Sequence, residues 1–234
     1  MQYNQHLVLR KIHRYFGLFI GIQFLFWTIS GLYFSWSDID KIHGDQFRTK
    51  DLKKSFISPK LFSNLQDSTL KIQYLELKFV NQTPYLWINK EKLIDPFTGK
   101  IKESISKNEA LAVANQHILP EYRMKKIEYL TEVGPDHEYR KLPLPAWVIY
   151  YEGNQNLRAY VSARDGSFQR IRYDSWRIFD FLWMTHTMDY QGRDNINNWL
   201  LRTFSVLGLL TVLSGFLLYF YSLGKYRKLK KDKL

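Results

Sequence analysis

The stretch FGLFIGIQFLFWTISGLYFSW (16–36) decides the fold: it is 21 residues long and contains no charged side chain. A helix needs roughly 20 predominantly apolar residues to cross the hydrocarbon core of a bilayer. A second stretch, 203–223, has the same length and the same lack of charge. Membrane-spanning helices are therefore expected over 16–36 and 199–223. Neither is purely aliphatic: Gln23, Thr28, Ser30 and Ser35 interrupt the first, and several serines and threonines the second. A buried helix of a soluble protein is the competing reading, but such helices usually keep a polar face. The chain-wide mean hydropathy of −0.34 hides both stretches. The first run is longer than the roughly 7–15-residue apolar core of a signal peptide, and Trp36-Ser37-Asp38 follows it in place of a small-x-small cleavage site. It reads as a retained anchor.

Charge sets the expected orientation. Arg10, Lys11 and Arg14 precede the first run, and Lys225, Arg227, Lys228, Lys230, Lys231 and Lys233 follow the second, against Asp232 alone. Lysine and arginine accumulate on the cytoplasmic side. Both ends, 1–15 and 224–234, are thus expected in the cytoplasm at an inner membrane, with the middle of the chain in the periplasm. These two ends carry +8 of the formal +12, so the basic balance needs no nucleic-acid partner; anionic lipid headgroups account for it. The absence of cysteine excludes disulfides, thiolate metal sites and covalently attached c-type haem.

Residues 37–198 are too many for an unstructured connection, and they contain a degenerate repeat. ISPKLF (57–62), KIQYLELKF (71–79), PYLWI (84–88) and KLIDPFTGKI (92–101) are followed in the same order by ISKNEAL (105–111), KKIEYLTEV (125–133), PAWVIYY (145–151) and AYVSARDGSFQRI (159–171). Each copy reads as helix start, strand, strand, strand and glycine turn. Ser106 and Glu109 form a capping-box pattern before an alanine-rich run. Thr98-Gly99 and Asp165-Gly166 mark turns between strand-like segments. The fold class is a membrane α+β protein: two transmembrane helices flank two tandem α+β units, 37–104 and 105–172, and an aromatic interfacial segment, 173–198, leads into the second span.

These features resemble a family. Asp95-Pro96-Phe97-Thr98-Gly99-Lys100-Ile101 closes a unit in the manner of a PepSY domain, and Ala163-Arg164-Asp165-Gly166-Ser167-Phe168 does so loosely. Arg10-Lys11-Ile12-His13-Arg14-Tyr15-Phe16-Gly17, Ser30-Gly31-Leu32 and Leu213-Ser214-Gly215-Phe216 resemble the PepSY-associated transmembrane helix (PepSY-TM). The resemblance implies two functions of different class. Membrane-embedded relatives include haem-carrying reductases of iron–siderophore complexes, implying an electron-transfer oxidoreductase, or a subunit of one, in iron uptake. Those relatives carry more spans than this chain. Isolated PepSY domains are similar to peptidase-inhibiting propeptides, implying a non-catalytic, membrane-anchored module that binds a periplasmic protein.

The chain shows no H-E-x-x-H, no G-x-S-x-G, no P-loop and no flavin or nicotinamide glycine pattern. Redox chemistry would need a cofactor held by histidine. Of six histidines, His6, His117 and His137 read as surface groups. His13 heads a stripe at helical spacing, His13, Gly17, Gly21, Phe24, Thr28, Gly31 and Ser35; Gly208, Thr211, Gly215, Leu218 and Ser222 form its counterpart. The glycines Gly17, Gly21, Gly31, Gly208 and Gly215 suit close helix packing or leave room for a macrocycle. His13 has two readings, a haem ligand or a headgroup contact beside Arg10 and Arg14. His186 shares a helical face with Trp176, Phe179 and Trp183, and Asp189 is a candidate to orient it; an interfacial histidine bonded to local backbone is the alternative. His43 stands behind both as a ligand candidate. His13 and His186 lie at opposite ends of the spans, so they are expected to serve separate haem b groups. Two spans supply half a four-helix bundle, so a homodimer or a partner membrane protein is expected to complete the sites.

Overall fold

The computed structural model describes residues 3–50 and 71–231, with side chains over 7–50 and 71–224. In chain order the elements are α1 (Tyr3–Trp36), α2 (Ile39–His43), a 3-10 turn (Asp45–Phe47), β1 (Leu75–Val80), β2 (Thr83–Ile88), β3 (Lys92–Ile94), β4 (Ile101–Lys102), α3 (Lys107–His117), β5 (Met124–Leu130), β6 (Ala146–Tyr151), β7 (Arg158–Ser162), β8 (Phe168–Arg172), α4 (Asp174–Thr187) and α5 (Trp199–Lys231). They divide into a helical unit, Met1–Ser37 with Asp180–Leu234, and a sheet unit, Asp38–Phe179.

In the helical unit, α1 and α5 are long and apolar enough to cross a membrane, over Leu7–Trp36 and Trp199–Gly224. Only 17% and 6% of their most apolar windows are buried, so the rest of the chain leaves most of both apolar surfaces uncovered. Leu18, Ile22, Leu25 and Phe26 on α1 and Leu209, Leu210, Phe216 and Leu217 on α5 are exposed. Both helices run beyond the apolar stretches, back to Tyr3 and on to Lys231. The flanking segments are rich in lysine, arginine and leucine, which are good helix formers, and a lone Gly224 does not outweigh them.

The helices pack antiparallel. Phe19 and Phe204 meet with ring centroids 5.5 Å apart, and a Cβ on Gly208 would stand 3.0 Å from Phe24 Cζ. The buried positions on α1 are Ile20, Gln23 and Ser30. With half-buried His13, Trp27 and Phe34 they repeat every 3.5 residues, the period of a coiled-coil seam. This seam is rotated from the stripe read in the sequence. Thr28 and Ser35 are exposed, and their hydroxyls donate to Phe24 O and Leu32 O of their own helix. That back-bonding satisfies a hydroxyl without a neighbour, so a small polar residue need not face inward.

In the sheet unit, β1 to β4 form one antiparallel meander and β5 to β8 a second, each in chain order. The glycine turn expected to end each copy instead forms the hairpin between the third and fourth strands. Leu86, Ile88 and Ile94 form the first core; Tyr139, Ala146, Val148 and Tyr160 form the second. The capping box forms: Ser106 Oγ accepts from Glu109 N, and Ser106 N donates 2.7 Å to Glu109 Oε2. The helix start expected at 57–62 lies outside the described residues. Gly166, at φ +70°, brings its turn so close to β1 that a Cβ would lie 2.5 Å from Val80 Cγ2; only glycine fits there. Glu138 ties the second sheet to the start of α4. It accepts from Arg158 Nη1 (3.0 Å), Arg177 Nε (2.8 Å) and the Tyr160 hydroxyl (2.6 Å). Burial alone would raise this carboxyl, but the Arg177 and Tyr160 hydrogen bonds outweigh it and hold Glu138 below its ordinary range.

Candidate functional site: two serine-bound histidines

His186 lies one residue before the end of α4. A helix leaves its last carbonyls without intrahelical partners, and here α1 supplies donors. Gln23 Nε2 donates to Thr185 O at 3.2 Å, and Trp27 Nε1 donates to His186 O at 2.8 Å. Asn198 Nδ2 donates to Thr187 O at 2.9 Å. The His186 ring is held by a third residue of the same seam: Nδ1 lies 2.7 Å from Ser30 Oγ. Phe34 packs edge-on against the imidazole with centroids 5.6 Å apart, and Trp183 and Trp27 enclose the same corner. Burial lowers His186 below the ordinary imidazole value, favouring the neutral ring.

His13 repeats the arrangement at the other end. Its Nδ1 lies 2.7 Å from Ser214 Oγ of α5. The ring lies over Gly215, where a Cβ would stand 3.2 Å from His13 Cε1. His13 and Ser30 are 17 residues apart on α1, about 26 Å of helix rise, so no single metal can use both histidines.

Each serine also lies against a carbonyl of its own helix. A hydroxyl has one proton to donate. Ser30 Oγ is 2.7 Å from Phe26 O and Ser214 Oγ is 2.7 Å from Thr211 O. Where each serine proton goes to its helix carbonyl, the serine oxygen accepts from the imidazole, which puts the ring proton on Nδ1 and the lone pair on Nε2. Among the described residues neither Nε2 has a hydrogen-bond partner. An imidazole held at Nδ1 with Nε2 open is the usual state of a metal-ligating histidine. Each ring thus presents one nitrogen of the type that ligates haem iron.

Asp189 does not orient His186. Its carboxylate accepts from Gly192 N, Asp194 N and Asn195 N and so pins the turn between α4 and α5; these short-range amides outcompete an imidazole three residues back. His43 is exposed at the end of α2 in the sheet unit. Gly208 and Gly215 lie where α1 and α5 touch, whereas Gly17, Gly21 and Gly31 have no atom within 4 Å of a built Cβ. His117 is stacked on Phe168 at 4.3 Å. The described residues contain no group of three or more His, Asp or Glu able to hold a metal ion. Sequence reasoning passed over Gln23, Trp27 and the bonding role of both serines. The signal was present: each span carries one Ser-Gly pair, Ser30-Gly31 and Ser214-Gly215. Comparison with family models, curated proteins and solved structures finds no match.

Proposed function

We propose that this chain is an inner-membrane, haem-b electron-transfer component of PepSY-TM type, similar to iron–siderophore reductases, with His13 and His186 as axial ligands to separate haems. The observation that carries this reading is the pair of serine-bound imidazoles, each with Nδ1 2.7 Å from a serine hydroxyl and Nε2 without a hydrogen-bond partner among the described residues. A bound haem would supply one-electron transfer; the chain's own residues orient the two rings and fix their protons. Two such positions about 26 Å apart along α1 suit electron passage between the membrane faces. Each chain offers one histidine per level, so a second copy, or a partner membrane protein, supplies the sixth ligand. The basic ends favour both termini in the cytoplasm and the sheet unit in the periplasm.

The test is the spectrum of detergent-purified protein. A dithionite-reducible Soret band is expected, with pyridine haemochrome giving b-type haem. His13→Ala and His186→Ala should each remove about half of it, additively, because the sites do not share a metal. Absence of any Soret band after growth with added haem would overturn the proposal. It would favour the second reading, a membrane-anchored periplasmic binding module, which the separately cored sheet unit supports.

A further inference from the structure

The face of α1 turned away from α5 is organised along its length. Lys11, Arg14, Leu18, Ile22 and Leu25 follow one another at steps of three or four residues, and Trp36, three turns further on, continues the same stripe. All six are exposed, Leu18 at 72% and Trp36 at 84%. The buried seam of Ile20, Gln23 and Ser30 runs along the opposite side of the helix, and His13 turns toward that seam to meet Ser214. The cations beside His13 in sequence therefore open outward while the imidazole points in.

At the basic end of the stripe, Arg10, Lys11 and Arg14 line a cleft of about 190 Å³ with Leu7 and Val8. Among the described residues none of the three has an acidic partner. The Arg14 guanidinium stands 5.1 Å from the centroid of the Tyr15 ring, a contact that orients it without neutralising it. Guanidinium groups match phosphate oxygens in geometry as well as charge. Arg14 and Trp36 are 22 residues apart in α1, about 33 Å of helix rise, close to the roughly 30 Å of a hydrocarbon core. Tryptophan favours the membrane–water boundary. With Trp36 at one boundary, the three cations lie level with the headgroup phosphates of the other, and Leu18, Ile22 and Leu25 lie where acyl chains run.

We propose that this face of α1 holds one anionic phospholipid, its phosphate on Arg10, Lys11 and Arg14 and an acyl chain along Leu18, Ile22 and Leu25. The site rests on the reading of α1 as a membrane span and is independent of haem. Full-length protein in a neutral maltoside detergent is tested by native mass spectrometry with phosphatidylglycerol, with phosphatidylcholine of the same acyl chains, and with glycerol 3-phosphate. Phosphatidylglycerol should be retained most tightly, and raised salt should weaken it. Lys11→Gln and Arg14→Gln should each weaken its retention about fivefold, the scale of one basic residue at an anionic surface. Arg202→Ala, near the other end of the helical unit on α5, should bind as wild type. Equal retention of phosphatidylcholine would overturn the proposal, and so would equal weakening by Arg202→Ala, which would mean diffuse charge. Glycerol 3-phosphate held as tightly as the lipid would make this a free-phosphate site, and a dimeric mass without lipid would give the face to a second copy; either result also overturns it. A chain that stays monodisperse without detergent would remove the membrane reading beneath the site, and haem content does not enter the measurement.

Discussion

At one end of the helical unit, His186 is held through ring and backbone together: Ser30 takes Nδ1, Trp27 the carbonyl, and Gln23 the carbonyl before it. At the other end, His13 is held by its ring alone, between Ser214 and the bare face of Gly215. The chemical arrangement at Nδ1 is the same, and the difference comes from position in a helix. His13 sits inside α1, where its backbone is already paired. His186 sits at the end of α4, where orphan carbonyls need donors from elsewhere. An apolar helix can lend those donors only if it carries polar side chains on the facing side, which is why buried Gln23 is tolerated in α1.

That contrast can be broken most forcefully at Trp27. Trp27→Leu removes the donor to His186 O and part of the aromatic packing, and should cost about 2–4 kcal/mol. Thermal melts should show the loss, and haem retained after the substitution should be the fraction that depends on His13. Equal loss at both ends would mean that the two sites are not separate.

Gly215→Ala tests the other end. Its Cβ would crowd His13 Cε1 at 3.2 Å, an overpacking worth about 1–2 kcal/mol, and it should displace His13 only. Gly17→Ala is its foil. Open space surrounds that position, so alanine should stabilise the helix by about 0.5–1 kcal/mol. A destabilised Gly17→Ala protein, with a shifted mass in size-exclusion light scattering, would instead reveal a second helix packed there in a dimer.

Ser30→Ala and Ser214→Ala should each cost about 1 kcal/mol, with Ser30 the larger because it is fully buried and Ser214 only half so. Nitrogen NMR of ¹⁵N-histidine-labelled, haem-free protein should show the Nδ1–H population falling at the affected ring only. No change in tautomer would remove the observation on which the haem reading rests.

The smallest effect concerns His117, which is half-buried against Phe168 and not the surface group its sequence context suggests. Burial and then Arg48 lower it from the ordinary 6.5. Its neutral form is favoured in the fold, so its contribution is complete above pH 6.5 and shrinks as pH falls below that value. Melts of the sheet unit's transition between pH 7.5 and 5.5 should show a modest decline, absent in His117→Gln.

Much of this protein was legible in the sequence. Apolar length alone predicts both long helices, because lipid demands about 20 such residues whatever surrounds them. Local signals predict the two sheets: Ser106 and Glu109 cap α3, and Gly99 and Gly166 turn between strands. His13 and His186 stand out because, of the six histidines, these two combine a place near a membrane edge with a helical stripe of small or aromatic residues. Tertiary structure alone decided which face of α1 is buried. Helical spacing of three or four admits neighbouring stripes, and the choice between Gly31 and Ser30 depends on what lies across the seam. Gln23, Trp27 and Ser30 face inward because the end of α4 needs their hydrogen-bonding groups, a contact between residues some 160 positions apart. Asp189 was lost as a partner for the same reason in reverse: nearby amides satisfied it first. Local sequence states what each segment can form, and only the assembled chain determines which polar groups are left needing one another.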